Sequence, residues 1–277
     1  MSDYFTYDAS ELVKHAHMRL TILETAQDVF KAMAMDMVTT ITKNNANQER
    51  SVFVVPVGPV GHYPIFVELV NQQKLSLKQV WFVNMDEYLD ESDAYLPLNH
   101  RLSFRSFMEK NVYSMIDPEL VMPPSQRLFP NPKDPAALDK KLDELGKIDV
   151  CYGGIGITGH VAFNEPEKVS VEEFSMRQTR VLTISPETRT INSVGDLNGA
   201  IEAMPKRCVT IGMRQILSAK RVYLACFRDW HRAVVRQAVC GTVSAMFPVT
   251  LLQQHPNASI TIPASVAEPA YPSLLHE

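Results

Sequence analysis

Short apolar runs bounded by glycine, proline or polar clusters recur along the chain, and the stretches between them carry apolar residues at helical spacing. Residues 51–57 (SVFVVPV), 79–84 (QVWFVN), 179–184 (TRVLTI), 206–211, 222–226 and 259–262 read as strands. The stretch 148–166 (IDVCYGGIGITGHVAFNEP) reads as another strand, running into a glycine-rich turn. Its continuous rather than alternating apolar pattern fits a parallel strand covered on both faces. Residues 8–44 have a helical period, with Ser10 and Glu11 as a start signal, and predict two helices or one long bent helix. Further helices are predicted from the turn at 58–61 to Gln73, from the loop 99–105 to Val112, and over 136–145, 213–219, 229–239 and 248–254. Residues 118–135 read as a Pro-rich connection outside the core, and the tail from 263 to 277 as irregular. Alternating strands and helices, with no repeat, linker or low-complexity segment, predict one layered α/β domain over residues 1–277.

Composition narrows the partners rather than the fold. With 277 residues, 45% hydrophobic and 21% charged, the chain has material for a sizeable core. A net charge of −4 gives no electrostatic case for nucleic acid. No apolar run approaches the length that spans a bilayer, and the N-terminal MSDYFTYDAS lacks the basic-then-apolar layout of a secretory signal. Cys151, Cys208, Cys226 and Cys240 have no metal-ligand spacing and read as buried thiols in a reducing compartment. The expectation is a cytoplasmic protein acting on a small molecule, with no bound metal.

Three places carry candidate chemistry. In an open α/β sheet ligands sit beyond the carboxyl ends of the strands, so the residues after the 153–156 turn, His160, Asn164 and Glu165, are placed where a ligand would be. An imidazole that transfers protons needs a partner to fix its tautomer, and Glu165 offers one; His160 equally suits a satisfied structural histidine. Asp86 and Glu87 end a strand, and adjacent carboxylates raise each other's affinity for protons, which is what a general base near neutral pH requires. The acid-rich DEYLDESD also fits a solvated loop. Strand, Gly58-Pro59-Val60-Gly61 turn and helix form the layout in which helix amides cradle an anion, although Pro59 lacks a donor and no Ser or Thr hydroxyl is present.

NMDEY at 84–88, GGIGITGHVAFNEP at 153–166, and PKRCVTIGM at 205–213 with LLQQHP at 251–256 together resemble the glucosamine-6-phosphate deaminase and isomerase family, whose pattern runs through most of the chain in the same order. The resemblance implies a modified doubly wound, Rossmann-like α/β fold, a mostly parallel sheet flanked by helices. It implies a reaction that opens an aminosugar phosphate ring, moves a proton between carbons 1 and 2 and expels ammonia without a cofactor. By position, Asp86 would take the C2 proton, His160 would shuttle a proton at the ring oxygen, and Glu165 would orient it. Gly58, Pro59, Val60, Gly61, Glu87, Gly154, Thr158, Asn164 and His231 would fall at the substrate. The sequence departs from the family pattern at Thr158, where an aspartate is usual, at the Gly58–Pro59–Val60–Gly61 turn, and near Val194 and His231, where an arginine and a lysine are expected. Arg214, Arg228 and Arg232 are the candidates to replace that charge. Family members can be hexamers, which leaves a homo-oligomer open here. Two other readings fit the resemblance: a sugar-phosphate sensor that kept the fold, or a hydrolase of a sugar lactone or unphosphorylated derivative.

Overall fold

The structure, a computed structural model, describes residues 3–271. Ten strands form two sheets. The larger is parallel throughout and has the order β1 (Arg19–Leu23), β10 (Ala258–Pro263), β9 (Val222–Ala225), β6 (Val150–Gly153), β2 (Ser51–Val55), β3 (Val80–Asn84), β5 (Arg127–Leu128). The chain therefore adds strands on one side of β2 through β3 and β5, and on the other through β6, β9 and β10. The loops after β2 and β6 diverge at that reversal, where doubly wound sheets hold their ligands.

The central strands are buried on both faces, which is why their sequences read as continuous apolar runs. Along β2, Phe53 and Val55 join a core layer with Met33, Met37 and Ile41 of α2 (Ala26–Ala46) and Phe66 and Val70 of α3 (His62–Gln73). Val52 and Val54 join the opposite layer, with Leu138 and Leu142 of α5 (Ala136–Leu145) and Val235 and Val239 of α9 (His231–Cys240). The mostly parallel sheet flanked by helices agrees with the fold class read from the sequence.

Four expectations are corrected. Residues 8–44 are not wholly helical: α1 (Ala9–His15) ends before the edge strand β1, and α2 begins after it. Asp8, not Ser10, caps α1, exchanging hydrogen bonds with Glu11, and Thr25 and Asp28 do the same for α2. β1 is only half-buried and takes its order from pairing with β10, so its apolar pattern is weak. In the connection 118–135, β5 adds a two-residue edge to the sheet. Residues 86–89, read as the end of the preceding strand or a solvated loop, form a strand of their own, β4 (Asp86–Leu89), which pairs antiparallel with β8 (Arg207–Thr210) and, through it, with β7 (Arg180–Thr183) in a separate three-stranded sheet. Finally, Ala264–Ala267 of the tail form a short helix; residues 272–277 lie outside the described residues.

Between these elements run α4 (Phe104–Asn111), α6 (Val171–Ser175), α7 (Pro186–Leu197) and α8 (Met213–Leu217). Among the described residues no helix is long and apolar enough to cross a membrane.

One buried cation ties the chain ends to α9. Arg236 is fully buried, and its guanidinium donates to the carbonyl oxygens of Tyr7, Arg232, Val266 and Ala267. Replacing it leaves those acceptors without a donor, at roughly 1–3 kcal/mol for each uncompensated buried group. Arg236→Leu is expected to lower the urea midpoint by a stability loss of about 2–4 kcal/mol; a midpoint within error of wild type would contradict this account.

Candidate active site

The loops after β2, β6 and β9, together with β4 and α7, enclose a cleft of about 230 Å³. That is room for one small metabolite rather than a polymer segment. Asp86 and His160, from opposite halves of the sequence, both line it.

Asp86 opens β4 and is almost wholly buried, and its carboxylate makes no hydrogen bond within the described residues. Burial first, and then the neighbouring Glu87 charge, push its pKa up to about 8. Successive strand residues face opposite ways, so Glu87, expected at the substrate, instead points into the protein. Its carboxylate accepts from the backbone amides of Tyr88, Phe104 and Arg105 at 3.0, 2.9 and 2.8 Å. Glu87 therefore binds the first turn of α4 and does not reach the cleft. Burial raises its pKa, against the opposing pull of those amides and of Arg105.

His160 lies flat against Gly156, where a Cβ would stand 1.8 Å from the ring, so only glycine admits it. Its Nδ1 is 2.8 Å from the Thr158 hydroxyl, which is 2.9 Å from Glu165 Oε2. Glu165 Oε2 itself stands 3.6 Å from Nδ1. Burial would raise Glu165, but the hydrogen bond and charge of His160, with the hydroxyls of Thr188 and Thr158, outweigh it and hold the carboxyl down at about 2. An ionised carboxylate only accepts, so the single Thr158 proton goes to Glu165 and Nδ1–H donates to Thr158. This tautomer leaves Nε2 with its lone pair, available at the cleft. Thr158 thus acts as a spacer between imidazole and carboxylate, and supplies no charge of its own. Neither Thr158 nor Glu165 lines the cleft.

The remaining expected residues divide. Gly58, Pro59, Val60 and Gly154 line the cleft. Gly154 lets the β6 turn approach the β2 loop, since a Cβ there would sit 3.2 Å from Pro59 Cδ. Gly61 does not line it: it starts α3 beneath the Phe30 ring, 2.5 Å from where a Cβ would be. Asn164 is buried away from the cleft, its amide donating to the carbonyls of Val161 and Ile211 and its oxygen accepting from Arg180. His231 touches the cleft but serves the backbone. Its Nδ1 accepts from the amides of Phe227 and Arg228, its Nε2 lies 3.1 Å from the Ile155 carbonyl, and burial pushes its pKa down to about 3. It carries no charge to offer a phosphate.

Of the replacement cations, Arg214 pairs with Asp143 and Arg232 with Glu268, both away from the cleft. Arg228 lines it. Val194 is exposed on α7 and does not line it. The sequence reading missed Tyr88, Asn192 and Asp196 on the far wall, although Ser185-Pro186-Glu187 is a helix-start signal for the α7 that carries the last two. Asn192 donates to the Tyr88 hydroxyl at 3.0 Å, joining α7 to β4 across that wall. Among the described residues no group of three or more His, Cys, Asp or Glu is placed to hold a metal ion.

No protein-family model matches the chain. Solved structures do. One described as a monomeric glucosamine-6-phosphate deaminase, a missing link of the NagB superfamily, superposes with a TM-score of 0.78 at 27% identity, covering 90% of this chain and 99% of that one. The 6-phosphogluconolactonases of Trypanosoma cruzi and Trypanosoma brucei superpose with TM-scores of 0.65 and 0.64 at 15% and 16% identity. Each covers 90% of this chain, and 95% and 97% of its own length respectively; at that identity they speak for the fold alone. Of the quoted motifs, NMDEY and GGIGITGHVAFNEP contribute to the cleft lining, while 205–213 and 251–256 do not; fold and sequence together fit the glucosamine-6-phosphate deaminase and isomerase family.

Proposed function

We propose that the protein is an enzyme of sugar-phosphate metabolism that isomerises and deaminates an aminosugar phosphate, glucosamine 6-phosphate or a close isomer. The observation that carries this reading is the sharing of one small cleft by Asp86, with a pKa near 8, and His160, with Nε2 left free by its Thr158–Glu165 support. A carboxylate with a pKa near the working pH is a stronger base than an exposed one, and removal of a proton beside a carbonyl needs that strength. Asp86 is given the C2 proton. His160 takes the anomeric hydroxyl proton through Nε2 and returns one to the ring oxygen as the ring opens; the proton that Asp86 takes from C2 is delivered to C1, and water then adds to the resulting C2 imine, leaving the ketone oxygen as ammonia departs. No step requires a cofactor.

Lactone hydrolysis is the second reading, favoured by the same imidazole: Nε2 with a fixed tautomer suits a base acting on water, and Glu165, 3.6 Å from Nδ1, would stabilise the imidazolium that forms. The two readings part at Asp86. In the first, Asp86→Asn lowers ammonia release from glucosamine 6-phosphate by about 10²- to 10⁴-fold, and wild-type kcat/KM climbs with pH to a plateau above about 8. Hydrolysis of a sugar 6-phosphate lactone that survives Asp86→Asn but not His160→Ala would replace the first reading with the second.

Stability supplies an independent check on Asp86. Its folded pKa of about 8 lies above the ordinary 3.8, so the folded state binds the extra proton between those values. Stability therefore falls as pH rises through that window, by up to about 1.4 kcal/mol per pH unit. Asparagine does not titrate, so Asp86→Asn should gain stability over wild type between pH 5 and pH 8.5 in urea denaturation. An equal difference at both pH values would show that the carboxyl is not perturbed.

A further inference from the structure

The cleft lacks the positive lining that an anionic sugar would be expected to meet. His231 is uncharged and committed to the backbone, Arg214 and Arg232 are paired elsewhere, and the β2 loop offers Pro59 where an amide donor would stand. Arg228 is the one cation among the described lining residues. Within the described residues its guanidinium makes no hydrogen bond and no ion pair. Its backbone, by contrast, is fixed, because the Arg228 amide donates to His231 Nδ1 at 2.9 Å.

The guanidinium reaches from the loop after β9 to the opposite wall. It lies against Gly195 of α7, with Nη1 2.5 Å from where a Cβ would be, so the bare helix surface at Gly195 is its seat. Asp196, the next residue, attracts it by charge without contact. A glycine inside a helix costs roughly 0.5–1 kcal/mol relative to alanine, and here the missing side chain makes room for a cation spanning the cleft. An arginine with free donors, held at both ends over a cleft, is suited to accept an anionic group through paired hydrogen bonds.

We propose that Arg228, seated on Gly195, is the specificity-determining anchor for the anionic group of the sugar substrate, taking over the charge that His231 cannot supply. This rests on the sugar-phosphate reading of the cleft and specifies which residue binds the phosphate. With a single guanidinium opposed by Asp196, recognition rests on one charge-assisted contact, so a monoanionic ester such as a sugar 6-sulfate is expected to bind nearly as well as the phosphate.

The test compares wild type with Arg228→Gln, Arg228→Lys and Gly195→Ala. Binding of glucitol 6-phosphate, glucitol 6-sulfate and glucitol is measured by calorimetry, and KM for glucosamine 6-phosphate by ammonia release; thermal melts report folding. A charge-assisted hydrogen bond is worth about 1.5–3 kcal/mol, which corresponds to about ten- to hundredfold in affinity. Arg228→Gln is expected to weaken glucitol 6-phosphate by that factor and Arg228→Lys to recover part of it. Gly195→Ala, which meets only the movable end of a side chain, should weaken it less, with a melt equal to or above that of wild type. The proposal is overturned if Arg228→Gln binds glucitol 6-phosphate as tightly as wild type, or if wild type prefers it to glucitol by less than tenfold. Arg228-dependent binding without any ammonia release would leave the anchor standing and overturn the deaminase reading alone.

Discussion

Met85 donates its amide to the Val55 carbonyl of β2 and accepts through its own carbonyl from Ile211, at the end of β8. One residue thus belongs to the hydrogen bonding of both sheets, and the carboxylate that follows it inherits a fixed place between them. With the joint fixed, the alternation of a strand decides the rest. Asp86 turns to the cleft, Glu87 turns to the α4 amides, and Tyr88 packs with Phe104 and Phe163 in the small core under the second sheet.

Two neighbouring carboxyl groups consequently meet opposite treatment. Glu87 receives three backbone amides and Asp86 receives no hydrogen bond, so Asp86 is the one left to hold a proton near neutral pH. Glu165 repeats the contrast across the cleft, with its burial overruled by His160 and two hydroxyls. Environments that push acid groups apart in proton affinity are how one site holds an acid and a base at the same pH. Thr158 bridges the two groups by hydrogen bonds, while the Glu165 carboxylate also stands 3.6 Å from the imidazole.

The sequence exposed those parts of the fold whose signal is local. Strands buried on both faces and helices with a clear apolar stripe were readable, as were Asp86 and His160, each at the end of such a strand. What escaped depends on pairing or on side-chain direction. β1 and β5 are edge strands ordered by their neighbours, and β4 looks like a loop because its polar residues are in demand on both faces. Glu87, Asn164 and His231 are polar residues spent on backbone groups, which residue type alone does not separate from ligand contacts. Arg228 stood among three arginines, and only the partners of the other two single it out.

Asp86 and His160 ride on different supports: Asp86 on the antiparallel sheet, His160 on a turn of the parallel one. Any small shear between the supports alters the gap between the two side chains across the cleft. Tyr88 and Phe163 belong at once to that small core and to the cleft wall, so their packing couples the two supports. The aromatic layer, rather than either cleft side chain, thereby sets the distance between Asp86 and His160.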